Sequence, residues 1–230
     1  MWTRHLHSWI GLLAITSTLS IGAPILPTRA DEKVKAAAAS YEVDTDASRI
    51  FVKVGTATRL GHEHGVQGNL KSGQVTLGGE GELVFDMASF TADTADARKR
   101  VGLEKKKVAK NEAKQVTETM RGRDVLDVDR YPTATFRISS IKPLEKQAAG
   151  EPGLYQVEGN FTLHGSEKKL QFKARVERAE KEGQLKMTGT FTIKQTDHGI
   201  KPYSALGGLA KVADELEISG DIILKPKSGK

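Results

Sequence analysis

The sequence predicts an all-β protein, an eight-stranded antiparallel up-and-down barrel with a helical insert. From Tyr155 to Leu224, four segments alternate apolar and polar residues with period two, the pattern of strands that place one face on a core. The short gaps between the first three segments favour antiparallel pairing, because parallel neighbours need long crossovers. A sheet with one apolar face must be covered, and closure into a barrel buries that face and removes the edges.

The first residues have the pattern of an export signal. A short cationic start at Arg4 precedes a mostly apolar run, Trp9 to Ile25, and Ala30 is a small residue suited to cleavage. Residues 1–30 are therefore predicted to be a signal peptide, with an uncleaved anchor as the alternative, and the mature protein to be periplasmic or secreted. Residues 31–40 are predicted to be a spacer, residues 41–225 the barrel domain and residues 226–230 a polar tail.

The first half of the domain predicts short strands separated by turns. Glycines enclose a turn at 61–65 that carries His62, Glu63 and His64, and Gly78-Gly79 marks another turn. The predicted strands of this half are 49–54, 66–70, 74–77 and 82–90.

The pattern changes to a helical one in the charged insert 94–119. Ala109, Ala113, Val116 and Met120 form an apolar stripe at spacing i, i+4, i+7, i+11. Asp93 or Thr94 is suited to cap the first turn, and Gly102 divides the insert into one or two helices. A strand at 133–141 and the four alternating segments, 155–164, 170–176, 185–193 and 216–224, complete the barrel.

A residue with little or no side chain lies midway along the apolar face of each of the last four strands: Gly159, Ala174, Gly189 and Gly220. Such residues either let strands bend as the sheet closes or leave a slot inside the barrel, and the two explanations are compatible. An eight-stranded barrel is wide enough to be filled by side chains or to hold one small ligand. The predicted apolar lining of such a slot is Ile50, Val52, Val54, Leu83, Phe85, Phe136, Ile138, Phe161, Phe172, Met187, Phe191 and Ile218.

Composition and motifs exclude several functions. The chain has no Cys, which excludes disulfides and thiolate metal sites. Without Arg4 and Arg29 of the signal, 33 basic residues stand against 29 acidic ones, a net charge of +4, and interleaved charges argue against nucleic acid as a partner. No second apolar run is long enough to span a membrane. No nucleophile elbow, P-loop or dinucleotide fingerprint is present, so we predict neither an enzyme nor a cofactor.

The histidines support three interpretations. His62 and His64 would share a face if their segment were extended, and His198 and Tyr203 lie in a later turn. With Glu63 or Asp197, the histidines could bind a divalent metal ion. The alternatives are contact with a ligand head group at the barrel mouth, by His62, His64, His198 and Tyr203, and a simple role in turns.

The order of motifs resembles the YceI-like family, exported bacterial proteins with a lipocalin-like barrel. The matching pieces are Tyr41–Asp44 with Arg49–Val54, Gly61–Gly65 with Gly68–Leu70, Met120–Phe136, Val157–Gly165, and Thr196–Tyr203 with Val212–Leu216. This resemblance implies a barrel whose apolar interior takes a polyisoprenoid or another long lipid-like chain. The chain departs from the family's pattern at His198, where many relatives carry an aromatic residue, and in its long charged insert.

These observations predict an exported protein that sequesters or carries a long apolar ligand, polyisoprenoid or fatty-acid-like, as its partner. Burial contributes about 0.8 kcal/mol per CH₂ group, so about ten groups suffice for micromolar binding. The alternatives are a metal-binding or metal-assisted protein that uses the turn histidines, and a stress or interaction protein with a filled core. The sequence leaves a homodimer open.

Overall fold

The structure, a computed structural model, describes residues 39–144, 146–147 and 150–227, and these form ten strands, two α-helices and two 3₁₀ turns. The predicted signal peptide, most of the predicted spacer and the last three residues of the predicted tail lie outside the described residues. The strands are β1 Ser40–Val43, β2 Arg49–Thr56, β3 His64–Thr76, β4 Gly81–Ala92, β5 Thr133–Pro143, β6 Gly153–Leu163, β7 Ser166–Arg178, β8 Leu185–Lys194, β9 Ser204–Ala205 and β10 Ala210–Pro226. The helices are α1 Ala95–Arg100 and α2 Lys110–Arg121, and the 3₁₀ turns are Gln195–His198 and Leu206–Gly208.

Eight strands form a closed antiparallel ring in the order β2-β3-β4-β5-β6-β7-β8-β10, and β10 returns to pair with β2. This confirms the predicted up-and-down, lipocalin-like barrel. Two short strands are additions to the ring: β1 pairs with both β10 and β3, and β9 pairs with β10. In the described part of the chain, no helix combines the length and the apolar character that crossing a membrane requires.

The two ends of the barrel differ. Because neighbouring strands alternate in direction, one end collects the histidine turn, the helical insert and the loop 195–209; we call it the upper end. The lower end, where β1 crosses the ring, is packed with side chains. Its fully buried residues include Leu77, Ile141, Tyr155 and Leu224, each 0% exposed. The core therefore closes the lower end and leaves the upper end as the way in.

The prediction of separate strands at 66–70 and 74–77 is wrong, because both belong to the single strand β3. The polar residues between them suggested a break. In the structure, Ser72 and Gly73 stay paired with β4, and register shifts between Gln67 and Asn69 and between Leu70 and Ser72 take up the irregularity. Such bulges bend a strand without ending it.

The insert forms two helices. Thr94 Oγ1 caps α1 by accepting a hydrogen bond from the Ala97 amide at 3.1 Å. The second helix is fastened to β4: the Ala92 amide donates to Thr117 Oγ1 at 2.9 Å, and Arg121 Nε donates to the Phe90 carbonyl at 2.8 Å. Both contacts of α2 come from side chains, Thr117 and Arg121, that the apolar stripe did not include. They hold α2 against the upper end of the barrel.

Candidate functional site

A cavity of about 340 Å³ lies inside the barrel, with a lining that extends from Ile50, Leu83 and Met187 to His64 and Tyr203 at the upper end. All eight ring strands contribute to its wall, and α2 covers one side of it with Val116 and Met120. Val125 and Leu126, which follow the helix, complete that side. A volume in this range is typical of a site for one small molecule.

Every residue of the predicted apolar lining faces this cavity except Ile138. Ile138 pairs with Gly81 and Gly159 near the lower end, where the barrel is filled, and it is buried in that packing instead. Contact between the other predicted residues and a ligand stays a prediction.

Aromatic rings line one half of the cavity. Phe161 lies at the centre of this group of rings and makes edge-to-face contacts with three of them. The distances between ring centroids are 6.0 Å to Phe85, 6.5 Å to Phe136 and 6.3 Å to Phe191. Phe172 packs against Phe191 at 4.9 Å. Rings held by one another in this way form a firm apolar wall rather than a loose filling.

The glycines on the strand faces have different roles. Gly189 and Gly220 are paired in register on neighbouring strands, and both lie in the cavity wall. Neighbouring side chains fill the places of their missing side chains, because a Cβ at Gly189 would meet the Phe172 ring at 2.7 Å and a Cβ at Gly220 would meet Ile50 at 3.2 Å. Gly159 is a structural requirement, because a Cβ there would overlap the Arg137 carbonyl oxygen and the Cα of Ile138. Glycine at these positions therefore permits close approach of neighbouring groups, and the cavity does not arise from their missing side chains.

The cavity wall contains few polar side chains. They are His64, Gln115, Thr119, Gln195 and Tyr203. Gln195 is already engaged, since its Nε2 donates to the Ala213 carbonyl at 2.8 Å. All five belong to the upper end, so the interior offers polar contacts only near its mouth.

His64 is oriented by a buried acid. Its Nδ1 lies 2.6 Å from Asp93 Oδ2 and therefore carries the proton that it donates, while Asp93 Oδ1 accepts from Arg98 at 2.6 Å and from the Gly65 amide at 3.2 Å. The Asp93 carboxylate is 0% exposed. Burial by itself would raise the pKa of Asp93, but the hydrogen bonds from His64 and Arg98 hold that pKa below its ordinary value. Asp93 was foreseen only as a helix cap.

His62 and His64 lie together, as the shared face predicted, with ring centroids 4.4 Å apart. His62 Nε2 is 3.3 Å from Glu112 on α2. Burial, followed by the neighbouring His64, lowers the pKa of His62. His62, His64 and Asp93 offer ligand atoms within 4.8 Å of one another, a spacing suited to a metal ion. Because Arg98, Gly65 and His64 already occupy the oxygens of Asp93, the arrangement is better suited to fixing His64 than to holding a cation.

His198 lies apart from this pair, contrary to the predicted grouping at the mouth. It is 1% exposed, its Nδ1 donates to the Ser166 carbonyl at 3.0 Å, and its ring meets the edge of Phe161 at 5.6 Å. It belongs to the outer support of the aromatic wall and is absent from the cavity lining. Tyr203, in contrast, lies in the wall and is 44% exposed.

A family model for the YceI-like domain matches residues 41–224, most of the chain. The chain belongs to the YceI-like family. Among curated proteins, none matches it in sequence.

Two solved structures resemble this YceI-like protein. One is a polyisoprenoid binding domain from Saccharophagus degradans implicated in plant cell wall breakdown, 17% identical, with a TM-score of 0.59 over 82% of this chain and 99% of that chain. The other is BcnA from Burkholderia cenocepacia, 20% identical, with a TM-score of 0.52 over 79% of this chain and 98% of that chain. At these identities the likeness establishes the barrel fold alone.

The contribution of α2 to the YceI-like cavity was not foreseen. The apolar stripe of the insert was recognised, but nothing in its spacing indicates which surface it covers. Val116 and Met120 of that stripe contact the core and line the cavity, as does Leu126 in the segment that follows the helix.

Proposed function

We propose that this YceI-like protein is an exported carrier that binds one long apolar molecule inside its barrel. The observation that carries the proposal is the cavity: an apolar space inside the ring, closed below by packed side chains and bordered above by its few polar groups. A chain-like ligand enters from the upper end and leaves its polar head there.

The chemistry of the wall selects for shape and apolar character. Each buried CH₂ contributes about 0.8 kcal/mol, so a chain with about ten carbons inside reaches micromolar affinity without any charged contact. His64 and Tyr203 are placed to meet a hydroxyl, carboxyl or phosphate head group at the mouth. Polyisoprenoids and fatty acids both have this form, and the name of the similar Saccharophagus domain supports the first.

Export is part of the proposal and is supported by the first 30 residues, where a cationic start, an apolar run and a small residue follow one another. A protein that holds a water-insoluble lipid is useful between two membranes, in the periplasm, where such molecules otherwise have no path.

Binding, rather than catalysis, suits the site. Among the described residues that line the cavity there is no Ser, Cys, Lys, Asp or Glu, so the wall offers an apolar ligand little that could react with it. The two rival functions make different predictions: a metal protein carries a stoichiometric ion, and a protein with a filled core takes up no ligand.

The first experiment uses protein exported to the periplasm and purified without detergent, divided between native mass spectrometry with organic extraction and elemental analysis. A stoichiometric long-chain lipid is the expected result. Stoichiometric zinc or a similar ion without lipid would instead assign the function to the histidine pair. Finding neither, with no uptake of added polyisoprenol or fatty acid, would refute the carrier.

A substitution in α2, the helix that covers one side of the cavity, tests the location of the ligand. Val116→Lys places a charge in the cavity wall from a half-buried helix position, and we expect the affinity for a fluorescent apolar probe to fall at least about tenfold. Glu118→Lys introduces the same group on the outer face of α2, where Glu118 is 66% exposed, and is the matched control. Equal affinity in both variants would place the ligand elsewhere.

A further inference from the structure

The upper end of the barrel carries exposed apolar side chains beside the cavity mouth. Leu60 is 51% exposed, Leu206 71% and Leu209 61%. Together with Tyr203, which is 44% exposed, we call these residues the apolar rim. Single exposed leucines are ordinary, but a group of them on one edge marks an interaction surface.

The apolar rim is built by two loops that are held together. Leu60 bridges to Ala210, the Lys211 amide donates to Thr58 Oγ1 at 3.1 Å, and the Ala57 amide donates to the Lys211 carbonyl at 2.8 Å. The Val212 amide donates to the Tyr203 carbonyl at 3.0 Å. Backbone hydrogen bonds therefore fix the exposed leucines in place next to Tyr203 and Val212, two residues of the cavity wall.

Leu206 has no local reason to be a leucine. Its φ is 53°, in the left-handed region that bulky side chains rarely adopt and that Asn or Gly accepts readily. It is also the most exposed of the large apolar residues that the structure describes. Neither packing nor backbone preference accounts for the residue, which leaves contact with something outside the chain.

The charge around the apolar rim is positive. Arg59, Lys201 and Lys211 are exposed within the two rim segments, 57–61 and 199–213, and these segments contain no acidic residue. Four acids lie within two residues of these segments: Glu63 is 3.6 Å from Lys53, Asp214 accepts from Thr196 at 2.7 Å, and Asp197 and Glu215 are exposed. Exposed leucines and a tyrosine beside cations are suited to an anionic lipid surface. The apolar groups can enter the interface while the cations contact phosphates.

We infer that the apolar rim docks the protein, mouth first, on an anionic lipid bilayer, so that an apolar ligand passes between membrane and cavity without crossing water. This inference rests on the proposed carrier function, because it names the surface from which the cargo comes. A bilayer is favoured over a protein partner because the apolar rim is continuous with the cavity wall. Tyr203 belongs to both, so a ligand could pass from a docked bilayer directly into the cavity.

The test compares wild type with Leu206→Asn/Leu209→Asn in sedimentation with vesicles of phosphatidylcholine, with and without phosphatidylglycerol. Asn suits the positive φ at 206, so the variant keeps its fold. We expect wild type to bind the anionic vesicles, and the double variant to bind them at least about tenfold less well. Gln at Arg59, Lys201 or Lys211 should cost about fivefold each and weaken the dependence on salt.

Leu144→Asn is the matched control, because Leu144 is 44% exposed at the lower end and should change nothing. Affinity for a soluble apolar probe, measured without vesicles, separates this inference from the proposed function. We expect the rim variants to bind the probe as tightly as wild type does. A wild-type protein that does not bind the probe would reject the proposed carrier function itself. Vesicle binding that is absent in wild type or unchanged in the double variant overturns the inference. So does a dimer in light scattering that the double variant dissociates, which would make the apolar rim a contact between two copies.

Discussion

The buried pair of Asp93 and Arg98 should account for a large part of the order at the barrel mouth. Asp93→Asn keeps the shape and suits the φ of 55° at this position, but it removes the charge that Arg98 faces at 2.6 Å. Arg98→Met keeps the length of the side chain and removes the guanidinium. That group also donates to the Leu103 carbonyl at 2.8 Å and to the Lys106 carbonyl at 2.9 Å.

The side chains of Arg98 and Asp93 are 6% and 0% exposed, so each single change leaves a buried charge or several carbonyls without a partner. Breaking one side of such a pair costs about 3–5 kcal/mol. The double variant Asp93→Asn/Arg98→Met removes both charges and should cost about 2 kcal/mol less than the sum of the single changes. For a domain of this size, a single variant should melt roughly 6–20 °C below wild type.

Urea unfolding followed by circular dichroism on all four proteins gives the double-mutant cycle. Additivity within about 0.5 kcal/mol would show that the two groups are energetically independent and would refute the reasoning. The same geometry predicts a second effect. Asp93→Asn replaces the carboxylate that accepts from His64 Nδ1 with a weaker acceptor, so the His64 ring should be held less firmly at the cavity wall.

Three further predictions concern other parts of the barrel. Burial lowers the pKa of His62 in the native state, so the unfolded chain takes up the proton first as the pH falls. The free energy of unfolding should therefore decrease as the pH drops below about 6.5. The variant His62→Gln should flatten that part of the curve of urea midpoint against pH. Gly159→Ala should lower the free energy of unfolding in urea by about 2–3 kcal/mol, since the new Cβ overlaps a β5 carbonyl. Gly55→Ala is the control and should be nearly neutral, because its Cβ would meet Ala213 at an ordinary 3.5 Å. Equal urea midpoints for the two variants would contradict this prediction. Leu77→Ala should cost roughly 3–4 kcal/mol yet leave the probe affinity of the folded protein unchanged, and a weakened affinity would place the cavity lower in the barrel.

The period-two pattern was enough to predict the barrel, because alternation states which side chains must be covered and a closed ring covers them without edges. The same pattern placed eleven of the twelve predicted lining residues in the cavity wall, since inward positions are fixed once a strand is recognised, although the wall also contains residues that were not predicted, such as Val116 and Leu126. It failed at Ile138 because alternation tells inside from outside but carries no information on height along the barrel, and only the packed lower end decides that Ile138 is core.

The sequence by itself determined most strands of the ring, their inward faces, the helical stripe and the closeness of His62 and His64, all of which follow from local periodicity. The tertiary structure alone decided what meets across long separations. It placed α2 over the cavity, brought Asp93 against His64 across 29 residues and joined the loop at Leu60 to the loop at Ala210 to form the apolar rim. Such contacts depend on how the ring closes and on which side chains then fill its ends, and no local pattern along the chain records either.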